Sequence, residues 1–262
     1  MIEANTVALL GPDEPAPVAV TNLDGRSPFL LIGDHAGKRV PRALAGLGIA
    51  EAELARHIGW DIGVAKLGEL LAERLDAPFI AQVYSRLVID CNRDPARADA
   101  IPAVSDGTPI PANRDLSEAA RAARIAAIHA PYQQAIANAL AARDGAGMRT
   151  VLIALHSFTP RMNDFDRPWQ AGILHFGHEN GFALALLDAL RDRIEVVGDN
   201  EPYKMDGTDY TVPFHAFAAG RPYAEIEIRQ DLLGAEGGPE RWCALLTDAL
   251  EAAEVSLRSS LP

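Results

Sequence analysis

The chain has 262 residues, 48% hydrophobic and 23% charged, which is enough for one large domain with a buried core and excludes disorder as the default. Its 24 basic and 36 acidic residues give a net charge of −12. That balance argues against a nucleic-acid backbone as partner and obliges a few focused Arg or Lys residues to hold any small anion.

In chain order, PFLLIGDH (28–35) is an apolar run ending in polar residues, as a buried parallel strand would. Residues 51–75 repeat apolar residues at helical spacing through Leu54, Ile58, Ile62 and Ala65, predicting one helix. FIAQVY (79–84) and RLVIDC (86–91) read as strands, and the proline-bearing stretch 99–115 reads as a long irregular loop. Residues 117–143 form an alanine-rich helix that Pro131 should kink or interrupt. TVLIALHS (150–157) is a buried strand, GILHF (172–176) a strand, 181–193 a helix, YAEIEIRQD (223–231) an alternating strand and 239–257 a closing helix. No repeat or linker divides this order, so residues 1–262 are expected to form a single domain. Interleaved strands and helices predict an α/β fold with three layers (α/β/α) around a mixed, mostly parallel central sheet. Ligands of such sheets gather beyond the carboxyl ends of the strands, where His35, Asn92, Arg93 and His156 are expected.

His35 and His156 each follow an apolar strand, so neighbouring strands would bring them to one point. A catalytic zinc takes three protein ligands and keeps one position open. A third ligand is expected from His57 or Asp61, placed on one face of the predicted helix. Asp61 stands among apolar neighbours in GWDIG and needs a partner. A cation answers that need, as does an N–H donor or a salt bridge. YSRLVIDCNRD sets Arg86, Asp90, Asn92 and Arg93 along one segment, and an Arg fork with an adjacent Asn suits a carboxylate. Simple pairing of Asp90 with an arginine is the alternative. AEIEIRQ puts Glu225, Glu227 and Arg229 on one strand face. A glutamate there can serve as general base, or the three can be an exposed, charge-paired face.

These residues together resemble the N-formylglutamate amidohydrolase family over nearly the whole chain, through GDHAGKRVP (33–41), RHIGWDIG (56–63), YSRLVIDCNR (84–93), ALHSF (154–158) and EIRQDL (227–232). The family in turn is similar to the zinc carboxypeptidases and aspartoacylases, which share a three-layer hydrolase fold. The resemblance implies that His156, in His-Ser, ligates zinc, that Asn92-Arg93 grips the substrate carboxylate, that Arg86 polarises the scissile carbonyl and that Glu227, in Glu-x-Arg, is the base. One departure stands out. The relatives carry His-x-x-Glu, whereas this chain has His35-Ala36-Gly37-Lys38, so the second ligand must come from elsewhere, with Asp61 the candidate and His57 behind it.

The expectation is therefore an enzyme with one Zn2+ on His35, Asp61 and His156. It would hydrolyse N-formyl-L-glutamate, or a similar small anionic N-acyl amino acid, to formate and glutamate, with Arg229 and His215 near the substrate. Two alternatives are a deacylase or carboxypeptidase for another acyl amino acid or peptide, and a non-catalytic carboxylate-binding protein with a degraded metal site. A serine hydrolase using Ser85 or Ser157 is disfavoured, since neither lies in a G-x-S-x-G elbow. His129, His175, His178, Trp60 and Trp169 are read as packing or surface residues, with Trp169 at the pocket mouth. Cys91 and Cys243 match no ligand spacing and read as free thiols. The N-terminal stretch lacks a signal-peptide pattern and no run reaches the ~18 apolar residues of a membrane span, so a cytoplasmic location is expected.

Overall fold

The computed structural model describes residues 8–177 and 180–259. In chain order the first half contains β1 (Val18–Thr21), β2 (Phe29–Gly33), α1 (Glu51–Leu54), α2 (Val64–Leu75), β3 (Phe79–Gln82), the hairpin β4 (Val104–Ser105) with β5 (Thr108–Pro109), α3 (Glu118–Arg124) and α4 (Ala130–Gly145). The second half contains β6 (Val151–Phe158), the hairpin β7 (Arg161–Met162) with β8 (Phe165–Asp166), β9 (Ala171–Leu174), α5 (Gly181–Arg191), β10 (Val197–Asp199), β11 (Tyr223–Arg229), α6 (Gln230–Gly234) and α7 (Gly238–Ser259).

Seven strands form one sheet in the order β1-β3-β2-β6-β11-β9-β10. The central run β3, β2, β6, β11 is parallel throughout, while β1 on β3 and β9 on β11 are antiparallel. Successive strand residues point to opposite faces, and both faces are covered. Phe29, Leu31, Ile153, Leu155, Ala224 and Ile226 pack under α2, α5 and α7, together with Leu67, Leu186 and Leu246. Leu30, Ile32, Leu152 and Ala154 pack on the other face with Ile128, Tyr132 and Ile136 of the α3–α4 arm. The expected three-layer mixed sheet is the observed one.

Two expected elements are different. Residues 51–75 are not one helix: α1 ends at Leu54, α2 begins at Val64, and Gly63 between them has φ 88°, a left-handed value that breaks helical continuity. Asp61 and His57 therefore share no helix face. Nor is RLVIDC a strand. Its apolar residues are buried, but its backbone runs through turns, with Val88 N–H donating to Ser85 O at 2.9 Å and Asp90 N–H to Ala100 O at 2.7 Å. Periodicity alone cannot separate a buried irregular segment from a buried strand.

The remaining differences are smaller. A π-helical turn, Ile125–His129, precedes α4, and the helix runs on through Pro131. Widening the turn there lets the chain accommodate a residue with no N–H. The 99–115 stretch contains the β4–β5 hairpin, turned by Asp106 and Gly107 with φ 43° and 73°, the left-handed pair that a tight hairpin requires. Among the described residues no helix is long and apolar enough to cross a membrane.

Candidate active site

Beyond the carboxyl ends of β2, β6 and β11 lies a cavity of about 520 Å³ lined by His35, Asp61, Arg86, His156, Glu225 and Glu227, among others. The sheet itself aims the last three. His156 stands opposite Glu227 in the β6–β11 register, on the face away from Leu155 and Ile226. His35 sits just past β2, and the ring centroids of His35 and His156 are 5.0 Å apart. Asp61 enters from the loop before α2, where its N–H donates to His35 O at 2.9 Å.

Asp61 Oδ2 lies 3.5 Å from His35 Nδ1 and 2.9 Å from His156 Nδ1. Ligand bonds of ~2.0–2.2 Å at tetrahedral angles place donor atoms about 3.3 Å apart, so the spacing suits one small divalent cation. The outer nitrogens face carboxylates. His35 Nε2 meets Asp90 Oδ1 at 2.7 Å, a contact that holds the proton there and turns the Nδ1 lone pair inward, as behind metal-bound histidines. His156 Nε2 faces Asp34 Oδ2 across 3.4 Å, and neither atom has a hydrogen-bond partner. His35 Nδ1 has no hydrogen-bond partner although it is buried. The donor set and this orphaned atom fit a metal such as zinc.

Charge points the same way. Asp34, Asp61, Asp90, Glu225 and Glu227 are all buried, and Arg86 pairs with two of them, reaching Asp90 Oδ2 at 2.7 Å and Asp61 Oδ1 at 3.3 Å. Burial alone would raise Asp61, but the two imidazoles outweigh it and hold its pKa down. Burial would likewise lower His156, yet Asp34 and Asp61 push it well above its usual range. Burial dominates for the two glutamates, raising both Glu225 and Glu227 to about 8. Glu225 Oε2 and Glu227 Oε2 are buried without hydrogen-bond partners, which a polar ligand would supply.

The N-formylglutamate amidohydrolase family model matches residues 27–234, most of the chain and every cavity residue named above. The chain belongs to that family. A solved gene product of Agrobacterium tumefaciens is 33% identical with a TM-score of 0.92, over 95% of this chain and 99% of its own. An N-formylglutamate amidohydrolase from Ralstonia eutropha JMP134 shares the fold at 22% identity, with a TM-score of 0.69 over 94% of this chain and 100% of its own. Among curated proteins, none gives a significant sequence match. As a family member, this amidohydrolase hydrolyses amide bonds.

The other expected site residues divide. Arg93 lines the cavity, with Nη1 donating to Asn92 O at 2.8 Å and to Thr208 O at 3.3 Å. Asn92 also lines it, but its Oδ1 accepts the N–H groups of Tyr210 and Thr211 at 2.9 and 3.0 Å. That side chain is committed to the 209–211 turn. His57 lies 3.6 Å from Asp106 and outside both clusters that could hold a cation, His35–Asp61–His156 and His156–Glu225–Glu227.

His215 and Arg229 do not line the amidohydrolase's cavity. His215 is buried behind it, 2.8 Å from Gln133 Oε1, and Arg229 forks onto Asp231 at 2.8 and 3.3 Å. His215 Nε2 and the Arg229 fork thus face protein neighbours. Lys38 stands over the Trp60 ring at 4.8 Å. Ser85 and Ser157 donate to backbone carbonyls of Gly59 and Ile62. His129 meets Arg93 O at 3.1 Å, His175 meets Asp199 at 2.9 Å, and Trp169 packs on Phe165 away from the cavity. His178 lies outside the described residues.

Sequence reasoning overlooked Asp34, although GDH sets an acid beside a histidine at a strand end. It also overlooked Thr211, Asp209 and Tyr203, which come from a segment with no periodic signal.

Proposed function

We propose that this amidohydrolase uses one divalent metal ion, zinc by its donor set, to hydrolyse N-formyl-L-glutamate or a closely similar N-acyl amino acid. The single observation that carries the reading is the buried convergence of His35 Nδ1, Asp61 Oδ2 and His156 Nδ1. His35, Asp61 and His156 would hold the ion. When bound, it supplies a Lewis acid for the acyl carbonyl and acidifies water.

Glu227, unpaired and pushed up to about 8 by burial, sits near enough to neutrality to accept and return a proton. It takes one from the water attacking the acyl carbon. It then delivers that proton to the amide nitrogen as the C–N bond breaks, leaving formate and the free amino acid. Arg86, held in place by Asp61 and Asp90, supports the charge that develops on the carbonyl oxygen. Arg93 receives the substrate's α-carboxylate, and Asn92 shapes the turn beside it.

A second reading concerns the substrate's side chain. The mouth carries Asp99, Asp106, Asp206 and Asp209 with Arg93 and Lys204, and this acidic excess favours a substrate with one carboxylate over one with two. A panel of N-formyl and N-acetyl derivatives of Glu, Gln and Ala decides between them, with Glu227→Gln as control. On the primary reading N-formyl-L-glutamate has the highest kcat/KM, and Glu227→Gln lowers kcat by ~10²–10⁴ at unchanged metal content. Near-normal turnover in that variant would remove Glu227 as the base.

A further inference from the structure

Each imidazole of the proposed metal centre is backed by a carboxylate, and each carboxylate is held by a donor of its own. Asp90 is held by Arg86 at 2.7 Å. Asp34 is held by the Thr211 hydroxyl, which donates to Oδ1 at 2.7 Å while Oδ2 faces His156 Nε2 at 3.4 Å. Thr211 itself is completely buried and touches neither histidine's inner nitrogen.

The hydroxyl meets three groups: Asp34 Oδ1 at 2.7 Å, the nearer acceptor for its one proton, Cys91 O at 3.1 Å, and Gln133. The Thr211 backbone N–H donates to Asn92 Oδ1 at 3.0 Å. Gln133 Nε2 donates to Thr211 Oγ1 at 3.2 Å and to Cys91 O at 2.8 Å, and Gln133 Oε1 in turn accepts from His215 Nε2 at 2.8 Å. A chain of hydrogen bonds therefore runs from His215 through Gln133 and Thr211 to Asp34, whose other oxygen faces His156 Nε2 across 3.4 Å. It crosses from the 213–217 turn, over α4, to the end of β2. His215, Gln133, Thr211 and Asp34 are all buried, so the hydroxyl's orientation is set by protein groups.

We infer that Thr211 is a positioning residue for the metal centre, acting through Asp34 to fix the tautomer and ring orientation of His156. This rests on the proposed metal-dependent reading. Without the hydroxyl, the buried Asp34 carboxylate loses a hydrogen bond and is free to rotate off His156. The imidazole then loses the negative charge that faces Nε2 and favours the proton there, leaving the Nδ1 lone pair for the metal position. A merely structural threonine would affect folding and leave metal affinity alone.

The test compares wild type, Thr211→Val and Thr211→Ser by zinc competition against a chromogenic chelator at neutral pH, with melting curves of the metal-free proteins in parallel. The valine variant should bind zinc 10–100-fold more weakly, as expected for losing an outer-sphere partner. The serine variant, which keeps the hydroxyl, should stay within a few-fold of wild type. Should Thr211→Val not fold, Thr211→Ala carries the same comparison. Folded valine or alanine variants with wild-type zinc affinity would overturn the inference, as would a serine variant as weak as valine. A wild-type chain that binds no zinc would overturn the metal reading itself, and this inference with it.

Discussion

Strands β6 and β11 show two chemistries on their two faces. Toward α2, α5 and α7 they present Ile153, Leu155, Ala224, Ile226 and Ile228, all in one apolar core. Toward the cavity the same strands present His156, Glu225 and Glu227, buried to a similar depth. The first face gains free energy by leaving water. The second loses it, because each unpaired buried carboxylate costs desolvation without a compensating bond. The apolar face thus supports a polar face that has value only when something binds there.

Three changes probe the difference, from the largest effect to the smallest. Leu246→Ala, in the apolar layer, should cost about 2–5 kcal/mol of stability and leave kcat unchanged at temperatures where it stays folded. Denaturant unfolding with parallel kinetics measures both, and a loss of kcat with little loss of stability would blur the division. His215 lies on the cavity side, and its pKa is lowered from 6.5 to about 4 by burial. Below pH 6.5 the unfolded chain takes up a proton that the folded chain refuses, so stability present above that pH drains away as pH falls toward 4. The loss is about 3 kcal/mol by linkage. Melting curves of His215→Gln between pH 4 and 7 should be flatter than wild type; parallel curves would exclude His215 as the source. Arg93→Ala should raise KM for N-acyl amino acids by roughly 10-fold, about 1.4 kcal/mol of binding, and change KM for their neutral amides far less. Equal effects on both substrates would take Arg93 out of carboxylate recognition.

The apolar half was legible in the sequence and the polar half only in part. Runs such as FLLIG and VLIALHSF announce buried parallel strands because nothing but burial on both faces explains them. They also locate His35 and His156, since each polar residue follows directly on an apolar run. Glu225 and Glu227 were readable through their period of two. Asp61 was singled out for a sound reason, a carboxylate among apolar neighbours, but from a helix that does not exist there: Gly63 breaks it. RLVIDC failed for the complementary reason, because burial by the α4 arm mimics strand patterning. The surroundings of Asn92, His215 and Arg229 were not legible, because they are set by contacts with Thr211, Gln133 and Asp231, two of them remote in the chain.

The central claim is that His35, Asp61 and His156 grip one cation together. Metal content of the purified chain after zinc loading and removal of excess tests it most directly, alongside His35→Ala, Asp61→Asn and His156→Ala. About one ion per wild-type chain is expected, with each variant falling to a small fraction of that while remaining folded. Full occupancy retained in the His35 and His156 variants, or no ion taken up by the wild-type protein, would contradict the account.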